Sequence, residues 1–297
     1  MAGASMKSIK LRIHSMQNTR QITKAMEMVA ASKMNKAQEK ALRTRPYYTT
    51  LHSTLSGIAA ATRDFSSPYL QKREEKRVCC VAIAGDRGLA GGYNSNVLRL
   101  AAETLTGEEN CVVPIGKKAG EYFRHRGVEL LTEDWLTAEN LSVGGCFTLA
   151  RHLAGLYRSG QVDAIELVFT RWNSLLSQEP CVLRLLEGYE PLLDACAVCG
   201  LPQPEKPAAS DKRPADILYE PDCATVFNAM IPEYLGGVIY GALCESLASE
   251  LSARRMAMDS ATQNADEMID KLNLQYNRAR QGSITQELTE IVAGAEE

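Results

Sequence analysis

The chain has 297 residues, 45% of them apolar and 6% aromatic, and a formal net charge of -3. That length holds one large or two modest domains around a real core. It excludes a membrane-spanning helix, because the longest apolar run, Tyr234 to Cys244, is 11 residues where about 20 are needed.

The small net charge hides an uneven distribution. Met6 to Arg45 carries ten Lys/Arg against two Glu, a net of +8, while Glu245 to Glu297 carries ten Asp/Glu against five Lys/Arg, a net of -5. Opposite charges at the two ends can attract each other, separate partners, or simply solvate two helix faces. Nine cysteines, an odd number, follow a charged N-terminus with no apolar signal region. Reduced thiols in a cytosolic compartment are the simplest account.

Residues 5–45 contain neither Pro nor Gly. Ile9, Ile13, Met16, Thr23, Met26, Ala30, Met34, Ala37 and Ala41 recur at spacings close to 3.5, which predicts one helix with a coiled-coil stripe of small or flexible side chains. Pro46 kinks or ends this helix, or a second helix carries on to Gly57. Residues 62–77 read as a polar linker. Val78 to Ala84 is an apolar run without alternation, the pattern of a strand buried on both faces. The glycine-rich turn Gly85 to Gly92 leads into a predicted helix from about Asn94 to Thr106. Further strands are predicted at Val112 to Ile115, Ala164 to Thr170 and Val182 to Leu186, with a helix over Gly116 to Arg126. Strands alternating with helices predict an α/β layer. Residues 187–223 break the pattern, and seven of the eleven prolines lie between 180 and 221, so this stretch reads as an irregular loop.

From Glu233 onward there is no Pro. Leu247, Leu251, Met258, Ala261, Ala265, Met268, Leu272 and Ala279 form a second stripe, with Arg254 falling on it. Gly236, Gly237 and Gly241 either weaken the first turns or permit close packing. A helix of about 55 residues is roughly 80 Å long, so two such helices project from a compact body. The expected fold is α/β: an antiparallel coiled coil of N- and C-terminal helices, with a Rossmann-like α/β domain between them. The expected boundaries are 1–61, 62–223 and 224–297.

No catalytic constellation stands out. The turn Gly85 to Gly92 is not followed by the Lys-Ser/Thr of a phosphate-binding loop, and it lacks Gly-x-Gly-x-x-Gly, so it reads as a structural turn. Cys196 and Cys199 form a single CxxC, which is half a zinc site, a redox pair or two reduced loop thiols. The histidines at 14, 52, 125 and 152 are dispersed. The basic first helix lacks the interleaved aromatics of a nucleic-acid surface.

Four segments together resemble the gamma subunits of F-type ATP synthases. They are Ile22 to Met34 (ITKAMEMVAASKM), Gly85 to Asn94 (GDRGLAGGYN), Leu218 to Asp222 (LYEPD) and Tyr276 to Val292 (YNRARQGSITQELTEIV). The resemblance implies a central-stalk rotor that is not itself catalytic and holds no cofactor or metal. Its paired helices stand inside a hexamer of alpha and beta subunits, and its α/β domain sits against the epsilon subunit and the c-ring. Proton or sodium flow through that ring drives rotation and hence ATP synthesis at the beta subunits; hydrolysis reverses it.

The same resemblance implies partner contacts at Lys24, Met26, Arg254, Arg280, Gln281, Thr285 and Glu287. Met26 is matched to a position facing a mobile acidic loop of beta, yet it fits the helix stripe equally well. Lys24 is a contact or a solvated lysine. Arg254 is a charge on an apolar stripe, which needs a partner or a route to solvent. Thr285 and Glu287 read equally as helix-surface residues. Ile284, Leu288, Ile291, Val292 and Ala293 suit a low-friction tip. Plastid gamma subunits carry a regulatory cysteine pair with wider spacing in acidic surroundings; Cys196 and Cys199 depart from that pattern. The N-terminus shows no transit peptide, so the expected location is the cytoplasmic face of a bacterial membrane, attached through the complex. The readings that compete with a rotor are a nucleotide-binding α/β enzyme with helical arms and a generic coiled-coil adaptor.

Overall fold

The β1 segment (Val78–Ile83) is buried along nearly its whole length because it lies mid-sheet with helices over both faces. The computed structural model describes residues 2–61, 67–71, 73–105, 107, 109–132, 137–186 and 219–295. Among these, β1 is preceded by α1 (Ala2–Ala61). It is followed by α2 (Tyr93–Thr104), β2 (Cys111–Ile115), α3 (Lys117–His125), β3 (Glu129–Leu130), α4 (Val143–Arg158), β4 (Ala164–Trp172), β5 (Gln178–Leu186) and α5 (Cys223–Ala295). The chain forms two compact units. One comprises Met1–Ser32 and Arg254–Glu297, the other Lys33–Ala253.

The larger unit is built on a five-stranded sheet of order β3-β2-β1-β4-β5. Strands β1 to β4 are parallel, and β5 closes one edge antiparallel to β4. Successive side chains of a strand point to opposite faces, so β1 feeds two cores. Cys79, Val81 and Ile83 pack with Leu149 and Leu153 of α4, Leu55 and Ile58 of α1, and Leu235 and Ile239 of α5. Cys80, Ala82 and Ala84 pack with Val97 and Ala101 of α2 and Ala119 and Phe123 of α3. This is the expected α/β layer, with helices on both faces of a mostly parallel sheet.

Local features refine these expectations. Pro46 neither ends α1 nor starts a new helix: α1 runs through it to Ala61. A mid-helix proline loses one hydrogen bond and crowds the preceding turn. The turns after it bury Tyr48, Leu55 and Ile58, and that tertiary packing outweighs the local penalty. Pro232 likewise lies inside α5, which starts at Cys223, next to the expected boundary at 224. Asp222 caps its first turn, Oδ1 accepting from the backbone N–H of Thr225 at 2.8 Å, and these hydrogen bonds hold its carboxyl below the usual carboxylate range.

The described part of the 62–77 stretch is anchored rather than free. Ser67 donates to Asn228 Oδ1 at 2.6 Å. Tyr69 stacks on Tyr157 with centroids 6.0 Å apart, and the Arg73 guanidinium donates to the Tyr157 carbonyl at 2.7 Å. Helix α4 is not among the elements expected from the sequence. Gly144 and Gly145 lie in its first turn, where Ser142 Oγ accepts from the Gly145 N–H at 3.1 Å.

The glycines of α5 permit close packing. A methyl group on Gly236 would strike the Phe147 ring, one on Gly237 the Tyr47 ring, and one on Gly241 the Tyr48 ring, so aromatic side chains lie directly on the α5 backbone. Gly116, between β2 and α3, has φ +97 and no room for a side chain, since a methyl there would overlap the Ala84 carbonyl oxygen. Gly116→Ala is expected to destabilise the protein by about 3 kcal/mol or more, from left-handed strain plus overlap. Denaturant unfolding of the two proteins measures the difference.

Candidate functional site

The smaller unit is a two-helix seam. On α1, Ile9, Ile13, Met16, Thr23, Glu27 and Ala30 are buried or half-buried. On α5 the inward positions are Met258, Thr262, Ala265, Ile269, Leu272, Tyr276, Ala279 and Ser283, at alternating steps of four and three. That spacing averages half a heptad, the period of a coiled coil. Thr23 Oγ1 and Thr262 Oγ1 share a hydrogen bond at 2.8 Å, and Arg20 Nε meets Asp266 Oδ1 at 2.7 Å. Lower numbers on α1 meet higher numbers on α5, so the helices are antiparallel. The predicted stripe is off by one residue at Met268, which is 50% exposed while Ile269 turns inward.

The glycine-rich turn of the larger unit is occupied by its own side chains. Asp86 Oδ1 accepts from the backbone N–H of Lys117 at 3.2 Å and of Ala138 at 3.0 Å, and Oδ2 from that of Glu139 at 3.0 Å. Asn94 Oδ1 accepts from the Gly85 N–H at 2.8 Å, and its Nδ2 donates to the Arg87 carbonyl at 3.1 Å. Leu89 takes φ 65 between them. Asp86 thus ties three chain segments together. Among the described residues, no group of three or more His, Cys, Asp or Glu is placed to hold a metal ion.

A protein-family model for ATP synthase matches residues 5–297. The chain is 42% identical over 292 residues to the ATP synthase gamma chain of Desulforudis audaxviator, covering 98% of each. It is 43% identical over 295 residues to that of Ruminococcus albus, covering 97% of this chain and 96% of that one. The chain belongs to the ATP synthase gamma family. In fold it is similar to a chain in the rotor of the Euglena gracilis mitochondrial ATP synthase, with TM-score 0.64 at 19% identity over 95% of this chain and 99% of the other. A second Euglena structure, of OSCP, F1 and c-ring, contains a chain matching with TM-score 0.65 at 19% identity over 99% of this chain and 94% of that one.

The residues that the gamma resemblance singles out fall into two groups in the smaller unit. Lys24, Met26 and Arg254 lie around the seam. Lys24 is exposed, with Nζ donating to Glu27 Oε2 at 2.8 Å. Met26 and Arg254 are half-buried. Arg280, Gln281, Thr285 and Glu287 are exposed on the last turns of α5. Thr285 spends its hydroxyl proton on the Gln281 carbonyl at 2.9 Å. Ile284, Leu288, Ile291 and Val292 are likewise exposed. The side chain of Ala293, and Cys196 and Cys199, lie outside the described residues.

Two features escaped sequence reasoning. Glu27 sits on the strict heptad with its side chain only 14% exposed, beside Met26, which the sequence places on the stripe and which is itself half-buried. The Thr23–Thr262 pair joins residues 239 positions apart, and nothing in either local sequence marks it. The described cysteines are free thiols, and burial pushes Cys80 and Cys146 up to about 12.

Two outcomes are expected. Asp86→Ala removes a charged acceptor from three backbone donors and destabilises the protein by roughly 2 kcal/mol, measured by urea unfolding. Cys80 and Cys146, protonated and enclosed, resist iodoacetamide at pH 8 and react only once the chain is unfolded, as peptide mass spectrometry of labelled native and denatured protein reveals.

Proposed function

We propose that this gamma-family chain is the central-stalk rotor of an F-type ATP synthase. It transmits rotation between the c-ring, driven by protons or sodium ions, and the beta subunits, where ATP is made or hydrolysed. The chain contributes mechanics and no chemistry of its own. In this reading the helices of residues 1–61 and 224–297 carry torque. The α/β body of residues 62–223 meets the epsilon subunit and the ring. Alpha and beta subunits enclose the shaft, and Lys24, Met26, Arg254, Arg280, Gln281, Thr285 and Glu287 are the contacts. The chain then works at the cytoplasmic face of the cell membrane, held through the complex. Among the described residues no helix is long and apolar enough to cross a membrane, which accords with that peripheral attachment.

The observation that carries the reading is the seam. Helices of 60 and 73 residues each run unbroken, and in the smaller unit they pair antiparallel by heptads, with ridges of one helix filling holes of the other. A single helix of that length bends easily, whereas a paired one resists bending and twisting. The gamma family membership supplies what is turned. The competing enzyme reading draws no support from Asp86, which turns its carboxylate to backbone N–H groups of its own chain.

Two measurements test the proposal. The chain is expected to co-purify with alpha and beta subunits from its own cells, and failure to associate with them would sink the rotor reading. Met26→Lys adds a charge beside the seam and is expected to lower the number of ions pumped per ATP hydrolysed in membrane vesicles; an unchanged ratio removes Met26 from the contact surface.

A further inference from the structure

The ion pair Lys24–Glu27 differs in kind from its neighbour. In Arg20–Asp266 both side chains are about half exposed, 53% and 50%. In Lys24–Glu27 the lysine is 54% exposed but the glutamate only 14%. Glu27 occupies a seam position of the heptad, between Thr23 and Ala30. A carboxylate withdrawn from water needs a counter-charge, and Lys24 Nζ supplies one at 2.8 Å. The other charged groups acting on this ammonium are Asp259, which favours it, and Arg255, which opposes it, both on α5. The Lys24 ammonium therefore lies among two acids and one base of its own molecule. Its titration is pushed upward, chiefly by the hydrogen bond to Glu27 and then by that residue's charge.

We infer that Glu27 is a positioning residue. Its carboxylate, lodged on the seam, tethers the Lys24 ammonium to the two-helix unit and fixes the place from which that charge meets the subunits that enclose the shaft. This rests on the rotor reading. A lysine has a four-carbon stem with free rotation, so without a tether its charge sweeps a wide arc. On a surface that must slide, a contact made from one fixed place is passed as the shaft turns, whereas an unanchored cation can follow its partner and hold it. The seam position of Glu27 matters because the acid end of the tether is itself held by packing.

The test uses the assembled complex in inverted membrane vesicles, with proton pumping and ATP hydrolysis measured together. Glu27→Gln is expected to lower pumping per ATP by about twofold or more, and adding it to Lys24→Ala is expected to lower pumping no further than Lys24→Ala alone, a coupling that a double-mutant cycle isolates. Pumping per ATP unchanged in Glu27→Gln overturns the inference. So does a double variant impaired by the sum of the two single losses, which would make Glu27 merely a seam residue. A second readout needs no variant to assemble. Brief acylation of the purified full-length wild-type chain, free of the subunits that enclose it, followed by peptide mass spectrometry, is expected to modify Lys24 several-fold more slowly than Lys10, which is also exposed. Equal rates overturn the tether. None of these outcomes disturbs the rotor reading, which stands or falls on co-purification.

Discussion

Between Tyr234 and Glu250 every side chain of α5 except Leu247 is buried. From Met258 to Ser283 the fully buried side chains are only Met258, Thr262, Ala265 and Leu272, and from Ile284 to Val292 every side chain is exposed. One unbroken helix therefore passes through three environments, and its composition follows them. In the first stretch it is apolar all round, as a helix enclosed by other elements must be. In the second it keeps a narrow stripe for one partner helix. In the last it carries aliphatic side chains with nothing of its own unit to cover them. The continuity of α5 is the condition on which the sheet core and the seam both depend, since both are anchored to it.

That continuity constrains the residues packed on α5. Tyr47, Tyr48 and Phe147 lie against Gly236, Gly237 and Gly241 so closely that no side chain fits at those glycines. The aromatic rings sit on bare backbone, and glycine's usual cost in a helix is offset by contact area. Ser246 and Ser249 continue this surface with polar links: Ser246 Oγ accepts from the Thr170 N–H at 3.2 Å, and Ser249 donates to the Thr170 carbonyl at 3.2 Å. Beyond the last pairing of β4 with β1 at Val168, α5 takes over the backbone groups that a further strand residue would otherwise satisfy.

Much of this was legible in the sequence because it is periodic. The uninterrupted apolar run of β1 and the half-heptad stripes of α1 and α5 are direct imprints of burial. What was not legible depends on residues far apart. Pro46 is a helix breaker by local rules, and only the packing of Tyr48 and Leu55 explains why the helix continues. Nothing periodic in the sequence announced α4, which opens on two glycines. At the seam, Met26 and Glu27 are both half-buried, and polarity alone gave no reason to place the charged one there. Its partner Lys24, one turn earlier, makes that possible. Asp86 looked like an ordinary turn residue, and two of the three backbone donors it gathers lie in a segment more than 50 positions away.

The distance along the chain between Thr23 and Thr262 has a consequence for synthesis. At about 5–20 residues per second, the 239 positions separating them leave the stripe of α1 without its partner for roughly 10–50 s while the rest of the chain is made. A stripe of large aliphatic residues would, over that interval, be a surface on which nascent chains could adhere. Thr23, Glu27 and Ala30 offer little to adhere to. The same sparse seam that lets two helices approach closely also lets the first of them wait, in water, for the second to be written.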